Sequence, residues 1–277
     1  MSALKWLWPL MLMAPWALAV PQKLVALSPH SVEMLFAIGA GDRIEATVDY
    51  ADYPEAAQAI PRIGRFDYLN MEALMLLQPD LVVLSIEDTS APLIERLRSL
   101  GLPVFDTSVT RIDEIADRLE QLGQALGLEA EGHKQAGEFR LRLAQLRQQY
   151  RQQAPVKVFY QVWPEPLTTV SGGWMNGILA DCGADNVFAD GEADYPQVSM
   201  EQVLVRKPEI ILKPEYHGNS NQEVVDWRVW PEIPAVANDQ IVPIEGDLVH
   251  RTGPRVLEGM ALVCRKIDTA RRQREAL

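Results

Sequence analysis

Side chains that commonly carry catalysis or bind metals are scarce in this sequence. Its 277 residues include two cysteines and four histidines. The histidines are scattered without metal-ligand spacing, no Cys-x-x-Cys pair is present, and a zinc or manganese importer would be expected to contain more histidine. The Gly-x-Ser-x-Gly, Walker and Gly-x-Gly-x-x-Gly motifs are also missing. Catalytic signals are therefore weak, and the sequence predicts neither a metal site nor a catalytic residue.

The main apolar run of the sequence lies at the amino terminus, but it is too short to span a bilayer comfortably. Lys5 precedes an apolar stretch from Trp6 to Trp16, and Ala17-Leu18-Ala19 has the small-x-small pattern of a signal-peptidase site. No cysteine follows this site, so no lipid anchor is predicted there. Residues 1–19 are therefore predicted to be a signal peptide that is cleaved near Ala19. We expect the mature protein in the periplasm, with secretion as the alternative.

Basic residues are outnumbered by acidic ones. Without residues 1–19 the chain has 38 acidic and 25 basic residues (26 minus Lys5), and the sequence pI is about 4.9. Nucleic-acid-binding proteins need clustered lysine and arginine, so this composition argues against nucleic acid as a partner. An acidic surface commonly keeps a protein soluble and does not by itself identify a ligand.

One sequence pattern occurs twice. Residues 71–84 and 200–212 both begin with Met-Glu and reach a proline seven positions after the glutamate, followed by an acid and an apolar run. The equivalent residues are Glu72 and Glu201, Pro79 and Pro208, and Asp80 and Glu209. Two such copies predict two similar lobes with a cleft between them, where small ligands bind. The alternative is that a helix–proline–strand unit recurs by chance in an α/β protein.

Strand and helix patterns alternate around these two copies. Apolar runs bounded by turns predict strands over residues 23–28, 44–48, 81–84, 104–105, 157–161, 210–212 and 241–244. Capped helical patterns lie between them, and a last helix is predicted over 254–268. This alternation is typical of mostly parallel sheets whose faces are covered by helices.

The segment from Glu129 to Gln153 contains no proline and no strong β pattern. Its larger apolar residues recur at helical spacing, at Phe139, Leu143, Leu146 and Tyr150. About 25 residues of helix would be about 37 Å long, which is enough to connect two lobes. An ordinary surface helix within one domain is the alternative.

The sequence therefore predicts an α/β fold with two similar Rossmann-like lobes, mostly parallel sheets and one long rigid helix joining them. The N-terminal lobe is predicted over residues 20–126, the bridging helix over 127–153 and the C-terminal lobe over 154–277.

Cys182 and Cys264 are the two cysteines of the chain. In an oxidising compartment a single pair most often forms a disulfide. The loop that it would close has about 80 residues, which corresponds to about 4–5 kcal/mol in the chain-entropy model. A metal or redox pair is the alternative, and the lack of a nearby histidine disfavours it.

Several aromatic residues fall in loops or at the ends of elements rather than in core runs. They are Tyr50, Phe66, Trp163, Trp174 and Tyr195. Loop aromatics that line a cleft suit a large, flat, partly apolar ligand. The alternative, which holds for many such residues, is that they cover the core beneath the loops.

Glu72 and Glu201 each open a predicted helix. An acid in the first turn is favoured by the helix dipole, which is the simpler explanation. The alternative is that the two acids, one on each lobe, dock onto arginine clusters of a partner.

Short motifs along the chain resemble those of one known family. In order they are Tyr50-x-Asp52-Tyr53-Pro54, Asn70-Met71-Glu72, Gln78-Pro79-Asp80-Leu81-Val82, Cys182-Gly183-Ala184-Asp185-Asn186-Val187-Phe188, Pro196-Gln197-Val198-Ser199 and Arg251-x-x-Pro254-Arg255. On these motifs, which extend over essentially the whole mature chain, the sequence resembles the periplasmic cobalamin-binding proteins. These belong to the helical-backbone substrate-binding proteins of ABC importers.

The resemblance implies a non-enzymatic protein that carries cobalamin, or a related corrinoid, to an ABC permease with its ATPase. It implies a ligand held between two lobes with little hinge motion, no cofactor besides the transported ligand, and a disulfide between Cys182 and Cys264. It also implies that Glu72 and Glu201 meet arginines of the permease. We expect a monomer.

The predicted ligand contacts are Tyr50, Phe66, Ser85, Trp163, Leu167, Tyr195, Asp247 and Arg251. Two of these, Tyr50 and Asp247, match the family. Four depart from its best-known member, which has tryptophan or phenylalanine at the positions of Phe66, Ser85, Leu167 and Tyr195. The cleft should therefore remain aromatic but be smaller. A precursor corrinoid, haem or a ferric siderophore would use the same architecture, and an exported α/β enzyme is the remote alternative.

Overall fold

The computed structural model describes residues 20–65, 68–215 and 225–276. The predicted signal peptide and Phe66 lie outside these described residues. Within those ranges, no helix combines the length and the hydropathy that crossing a lipid bilayer would require.

The N-terminal lobe is built on a six-stranded sheet. Its strands are β1 (Leu24–Ala26), β2 (Ile44–Val48), β3 (Arg62–Arg65), β4 (Tyr68–Leu69), β5 (Leu81–Leu84) and β6 (Val104–Asp106). Their order across the sheet is β4-β3-β2-β1-β5-β6, and only the β3–β4 pair is antiparallel. The helices of this lobe are α1 (Pro29–Ala37), α2 (Met71–Leu77), α3 (Ala91–Ser99) and α4 (Glu114–Ala125).

A long helix, α5 (Glu129–Tyr150), leads to the C-terminal lobe. There the strands are β7 (Val156–Tyr160), β8 (Trp163–Pro164), β9 (Leu167–Thr168), β10 (Ala184–Asn186), β11 (Ile210–Glu215) and β12 (Ile241–Glu245). The helices are α6 (Gly173–Asp181), α7 (Met200–Arg206), α8 (Pro234–Ala237), α9 (Gly246–Val249) and α10 (Val256–Glu275).

Both lobes follow one topology. The second sheet has the order β10-β7-β11-β12 and is entirely parallel, while β8 and β9 form a separate hairpin. Strands β2-β1-β5-β6 of the first sheet occur in the same relative order along the chain. The predicted fold class, two similar α/β lobes with mostly parallel sheets joined by a long helix, is confirmed.

The duplicated sequence pattern makes the same backbone hydrogen bonds in both sheets. The Asp80 amide donates to the Lys23 carbonyl at 2.8 Å, and the Asp80 carboxylate accepts from the Lys23 amide at 2.9 Å. Glu209 repeats this arrangement with Lys157, with both distances at 2.8 Å. The acid after each proline thus joins the starts of two neighbouring strands by hydrogen bonds. These strands are β5 and β1 in the first sheet, and β11 and β7 in the second.

The helices of the two copies also begin and end alike. The Asn70 and Ser199 side chains each accept a hydrogen bond from an amide of the first helical turn. Gln78 and Lys207 end the helices in the left-handed region, with φ angles of 48° and 50°. Each of these residues precedes a proline, which disfavours a helical conformation at that position. The proline therefore explains why both helices end at the same place.

Helix α5 packs against α4 of the N-terminal lobe and against α6 and α10 of the C-terminal lobe. A Cβ at Gly123 of α4 would lie 2.9 Å from the Cα of Gly132 of α5, so the two glycines permit close contact between these helices. One cluster of buried apolar residues continues from α4 through α5 into α10, and includes Leu119, Phe139 and Ile267. The lobes therefore share a core instead of being joined by an exposed linker.

Helix α10 is longer than predicted. The sequence predicts its end at Asp268, but the helix runs to Glu275. Arg271 is buried there, and its guanidinium donates to the Ala154 carbonyl at 2.6 Å and to Asp268 at 2.7 Å. A charged residue whose donors are satisfied can lie on the inner face of a helix, which a hydrophobic pattern does not reveal.

The disulfide between Cys182 and Cys264 is confirmed. It joins the end of α6 to the middle of α10, and both cysteines are fully buried. Both helices belong to the C-terminal lobe, so the bond stabilises that lobe rather than the connection between the lobes.

Arg147 of α5 binds one acid from each lobe. Its Nη1 and Nη2 atoms donate to the Asp113 carboxylate at 2.6 and 2.8 Å, and its Nε donates to Asp181 at 2.7 Å. Asp113 immediately precedes α4, and Asp181 is the last residue of α6. The Asp181 side chain is 5% exposed, so removal of the arginine would leave a buried charge with a poorer partner.

We expect Arg147→Ala to lower the free energy of unfolding by about 1–3 kcal/mol, because buried charged groups are costly when a partner is lost. Arg140→Ala is the matched control. It lies on the same helix at a more exposed position, and both of its partners, Asp117 and Glu120, belong to the N-terminal lobe. Its expected cost is about 0–1 kcal/mol. Urea unfolding of both variants measures the difference, and equal costs would contradict the role of Arg147.

Candidate functional site

Two adjoining cavities lie between the lobes, at the carboxyl ends of the main strands. Their volumes are about 350 and 240 Å³, and Asp88 and His250 line both. In parallel α/β sheets, ligands bind outside the carboxyl ends of the strands. The cavities therefore lie where the fold predicts a binding site, and together they form one cleft.

The larger cavity has walls from both lobes. Its N-terminal side is formed by Ser85, Glu87, Asp88 and Val109. Its C-terminal side is formed by Val162, Trp174, Tyr195, His250 and Thr252. Aromatic rings thus occupy the C-terminal wall, while acids and a serine occupy the facing wall.

The smaller cavity continues into the N-terminal lobe. Tyr50, His30 and Arg65 line it together with Arg251 of the C-terminal lobe. Tyr50 is the second residue after β2 and is 69% exposed. Its φ angle of 64° is in the left-handed region, which costs a non-glycine residue about 1–2 kcal/mol. Such strain is common where a side chain must be presented to a ligand.

The predicted ligand contacts are only partly brought together. Tyr50, Ser85, Tyr195 and Arg251 line the two cavities. Trp163, Leu167 and Asp247 are not among the lining residues of either cavity, and Phe66 lies outside the described residues.

The remaining predicted contacts have other surroundings. Trp163 is on β8 and is 42% exposed, while Leu167 of β9 packs against the apolar core of the C-terminal lobe. The Asp247 carboxylate lies 3.1 Å from the Arg251 guanidinium, one helical turn away in sequence. Asp247 can therefore orient Arg251 at the cavity wall.

Two histidines of the cleft were not among the predicted contacts. The His250 Nε2 lies 2.7 Å from the Tyr160 hydroxyl, and the His30 Nε2 lies 3.3 Å from the Thr107 hydroxyl. Burial lowers the pKa of each imidazole to about 4, so both rings are neutral at neutral pH. The sequence offered one signal for His250, since it immediately precedes the Arg251 motif.

Acids also line the cleft without having been predicted. Glu87 and Asp88 follow β5, and both are exposed at the wall of the larger cavity. Partial burial and the negative charges of Asp88, Asp106 and Glu114, then of Asp194 on the opposite lobe, raise the pKa of Glu87. Burial raises the pKa of Tyr195, and the negative charges of Asp194, Asp88 and Glu87 raise it further. Negative potential therefore comes from both sides of the larger cavity.

Arg251 is part of an inter-lobe ion cluster, which consists of Glu33, Asp52, Asp247, Arg251 and Arg255. The Arg251 Nη1 lies 2.7 Å from Asp52 and 3.5 Å from Glu33, two acids of the N-terminal lobe. The Arg255 Nη1 lies 3.3 Å from Glu33. The cluster joins the lobes beside the smaller cavity and leaves the positive charge of Arg251 largely balanced by acids.

Glu33 is the most buried acid of the inter-lobe ion cluster, with a side chain that is 2% exposed. Its Oε2 atom has no hydrogen-bond partner among the residues that the structure describes, and a Cβ at Gly253 would lie 3.0 Å from that oxygen. Burial raises the pKa of Glu33 from 4.5 to about 7, although the charges of Arg255 and Arg251 lower it. The folded protein therefore binds a proton at Glu33 more readily than the unfolded chain does.

This difference fixes the sign of a pH effect. Because the folded-state pKa is the higher one, the contribution of Glu33 to stability falls as the pH rises from about 4.5 to about 7. Below that window Glu33 is neutral in both states. We expect the melting temperature of Glu33→Gln, relative to that of the wild type, to rise between pH 5 and pH 8. Circular dichroism melts would measure it, and a difference that stays constant or falls would contradict the account.

Glu72 and Glu201 lie away from the cleft walls. Each is an exposed residue in the first turn of its helix, as the sequence predicted. Neither lines the two cavities. In the part of the chain that the structure describes, no group of three or more histidine, cysteine or acidic side chains could hold a metal ion.

Comparison with known proteins places these features in context. The family model described as "Periplasmic binding protein" matches residues 24–248. A vitamin B12-binding protein of Vibrio cholerae is 36% identical over 254 residues, which is 91% of this chain and 91% of that protein.

Solved structures agree with this similarity. The crystal structure of the periplasmic vitamin B12 binding protein BtuF of Vibrio cholerae matches with a TM-score of 0.82 and 36% identity, over 91% of this chain and 98% of that one. The periplasmic heme-binding protein RhuT of Roseiflexus sp. RS-1 matches with a TM-score of 0.77 over 90% and 98% of the two chains, but at 21% identity. The second match establishes a shared fold and no more.

Proposed function

The chain belongs to the periplasmic binding protein family, and on that premise we propose that it binds cobalamin, or a related corrinoid, and delivers it to an ABC-type permease. The observation that carries the proposal is the 36% identity to a vitamin B12-binding protein over 91% of both chains. The named relatives are binding proteins and not enzymes. We accordingly propose that this protein leaves its ligand chemically unchanged and acts in the periplasm as a monomer.

The predicted domain arrangement fits this function. We propose that a lobe of residues 20–126 and a lobe of residues 154–277 hold the ligand between them, with residues 127–153 as the bridge. Tyr50 approaches the cleft from the first lobe, and Trp174 and Tyr195 approach it from the second. Rings on both sides suit a large flat macrocycle, and such contacts contribute about 0.5–1.5 kcal/mol each beyond burial.

The charge of the larger cavity favours a corrinoid over haem, which is the second candidate together with a ferric siderophore. Haem carries two propionate carboxylates, whereas the rim of a corrin carries amides that donate hydrogen bonds. Glu87 and Asp88 line the larger cavity and would repel a carboxylate but accept from an amide. Arg251, which could otherwise bind a propionate, is already paired with Asp52, Asp247 and Glu33.

We expect purified mature protein to bind cyanocobalamin at one site per chain. Haem and a ferric siderophore should bind far more weakly, because anionic groups meet the acids of the cleft. Isothermal calorimetry with all three ligands is the measurement, and chromatography of the recovered cobalamin should find it unchanged. Saturation by haem with no heat from cyanocobalamin would overturn the proposal.

A matched pair of variants ties this binding to the cleft. Tyr50→Ala should weaken cyanocobalamin binding about tenfold, as expected for the loss of one ring contact and its burial. Tyr68→Ala removes a similarly exposed tyrosine that lines neither cavity, and its affinity should remain within about twofold of the wild type.

We also propose that Glu72 and Glu201 are docking residues for arginines of the permease. The proposal is supported by their exposure, by their equivalent positions in two lobes and by the fact that neither lines the two cavities. Exposed ion pairs contribute only about 0–1 kcal/mol each, so two pairs would mainly fix the orientation of docking and increase its rate.

We expect Glu72→Ala combined with Glu201→Ala to leave cobalamin affinity and melting temperature nearly unchanged. Cobalamin uptake into proteoliposomes that contain the cognate permease and ATPase should fall sharply. Normal uptake by the double variant, or loss of cobalamin binding instead, would show that these acids are helix-terminal or ligand-binding residues and not docking residues.

A further inference from the structure

The two most exposed large apolar side chains among the described residues occupy equivalent positions. Leu76 is 78% exposed and Val205 is 80% exposed. Leu76 lies four residues after Glu72 in α2, and Val205 lies four residues after Glu201 in α7. Residues four apart in a helix lie on the same face. Each lobe therefore presents an acid and an apolar side chain together.

Folding does not account for these apolar residues. Each helix has seven residues and buries a single apolar side chain, Leu74 in α2 and Val203 in α7, both fully. Scattered exposed apolar residues are normal on a protein surface and need no explanation. Here, however, different residue types, leucine and valine, are exposed at the same position of two sequence copies, which indicates a shared requirement.

We propose that Leu76 and Val205 form part of the permease-docking surface, each inserting into an apolar depression beside the arginine that binds the neighbouring glutamate. The proposal extends the docking role that we assign to Glu72 and Glu201 and rests on it. An apolar contact next to an ion pair excludes water and thereby strengthens the pair. The acids then supply orientation, and the apolar residues supply affinity.

Charge complementarity selects the permease over other occupants of this surface. The chain has a formal net charge of −12, and each apolar residue lies one helical turn from a carboxylate. A second copy of the chain would carry the same net negative charge, and an anionic membrane surface would also repel the protein. A partner with basic groups around apolar depressions matches both features.

The test compares two double variants of the mature protein without ligand. Leu76→Gln with Val205→Gln should weaken binding to the cognate permease–ATPase complex in nanodiscs about tenfold or more. The reason is that the complex would no longer bury two aliphatic side chains that are exposed in the free protein. Leu141→Gln with Val229→Gln is the matched control, because these residues are 62% and 60% exposed and lie elsewhere. Its affinity should stay within about twofold of the wild type. Cyanocobalamin affinity and melting temperature should not change in either variant.

The double variant Glu72→Ala with Glu201→Ala, measured in the same assay, tests the docking role of the acids separately from the apolar contact of Leu76 and Val205. If the acid variant associates more slowly or loses uptake while Leu76→Gln with Val205→Gln binds normally, the apolar contact is wrong and the acid docking stands. If the apolar variant binds normally and the acid variant keeps both its association rate and its uptake, both are wrong. Sedimentation velocity completes the test: a wild-type dimer that the Leu76 and Val205 substitutions dissociate would overturn the inference in favour of self-association.

Discussion

The cleft depends on the contacts that hold the two lobes at a fixed separation, because its walls come from different lobes. Helix α5 provides most of this connection through a shared apolar core. Arg147 adds ion pairs to Asp113 on one side and Asp181 on the other. An arginine that binds both acids at once fixes the helix relative to α4 and α6. Rotation of one lobe would have to break charged hydrogen bonds as well as repack the core.

The inter-lobe ion cluster provides a second connection at the cleft itself. Glu33 and Asp52 of the N-terminal lobe meet Arg251 and Arg255 of the C-terminal lobe. Glu87 and Asp88 are the charged residues that line the larger cavity, whereas Arg65 lines the smaller one beside the cluster. The inter-lobe ion cluster thus helps to hold the lobes together, and the acids of the larger cavity agree with the amide-bearing ligand that we propose.

Most of the fold could be predicted from the sequence, because long helices and buried strands leave strong patterns. The repeat of Met-Glu, proline and acid predicted two lobes of one plan, and the hydrogen bonds of Asp80 and Glu209 give it a physical cause. Strands β3, β4 and β10 and the β8–β9 hairpin were missed, since they are short and lack the apolar run that marks the equally short β1 and β5. Such short strands depend on their neighbours in the sheet and not on a local pattern.

The candidate site was less predictable than the fold. The loop position of Tyr50 and Tyr195 indicated an aromatic cleft, and both line it. Glu87 and Asp88 gave no signal, because exposed acids after a strand are common in any acidic protein. The pairing of Arg251 with Asp52 joins residues 199 positions apart, and no spacing along a sequence reveals such a contact.

A crystal structure of the protein with bound cobalamin tests the central claim, ligand capture between two fixed lobes, most directly. The account predicts that the corrin lies between Tyr50 and Tyr195. It also predicts that Arg147 keeps its contacts with Asp113 and Asp181, because the lobes do not need to move. Cobalamin bound outside this cleft, or a lobe rotation that separates Arg147 from either acid, would contradict it.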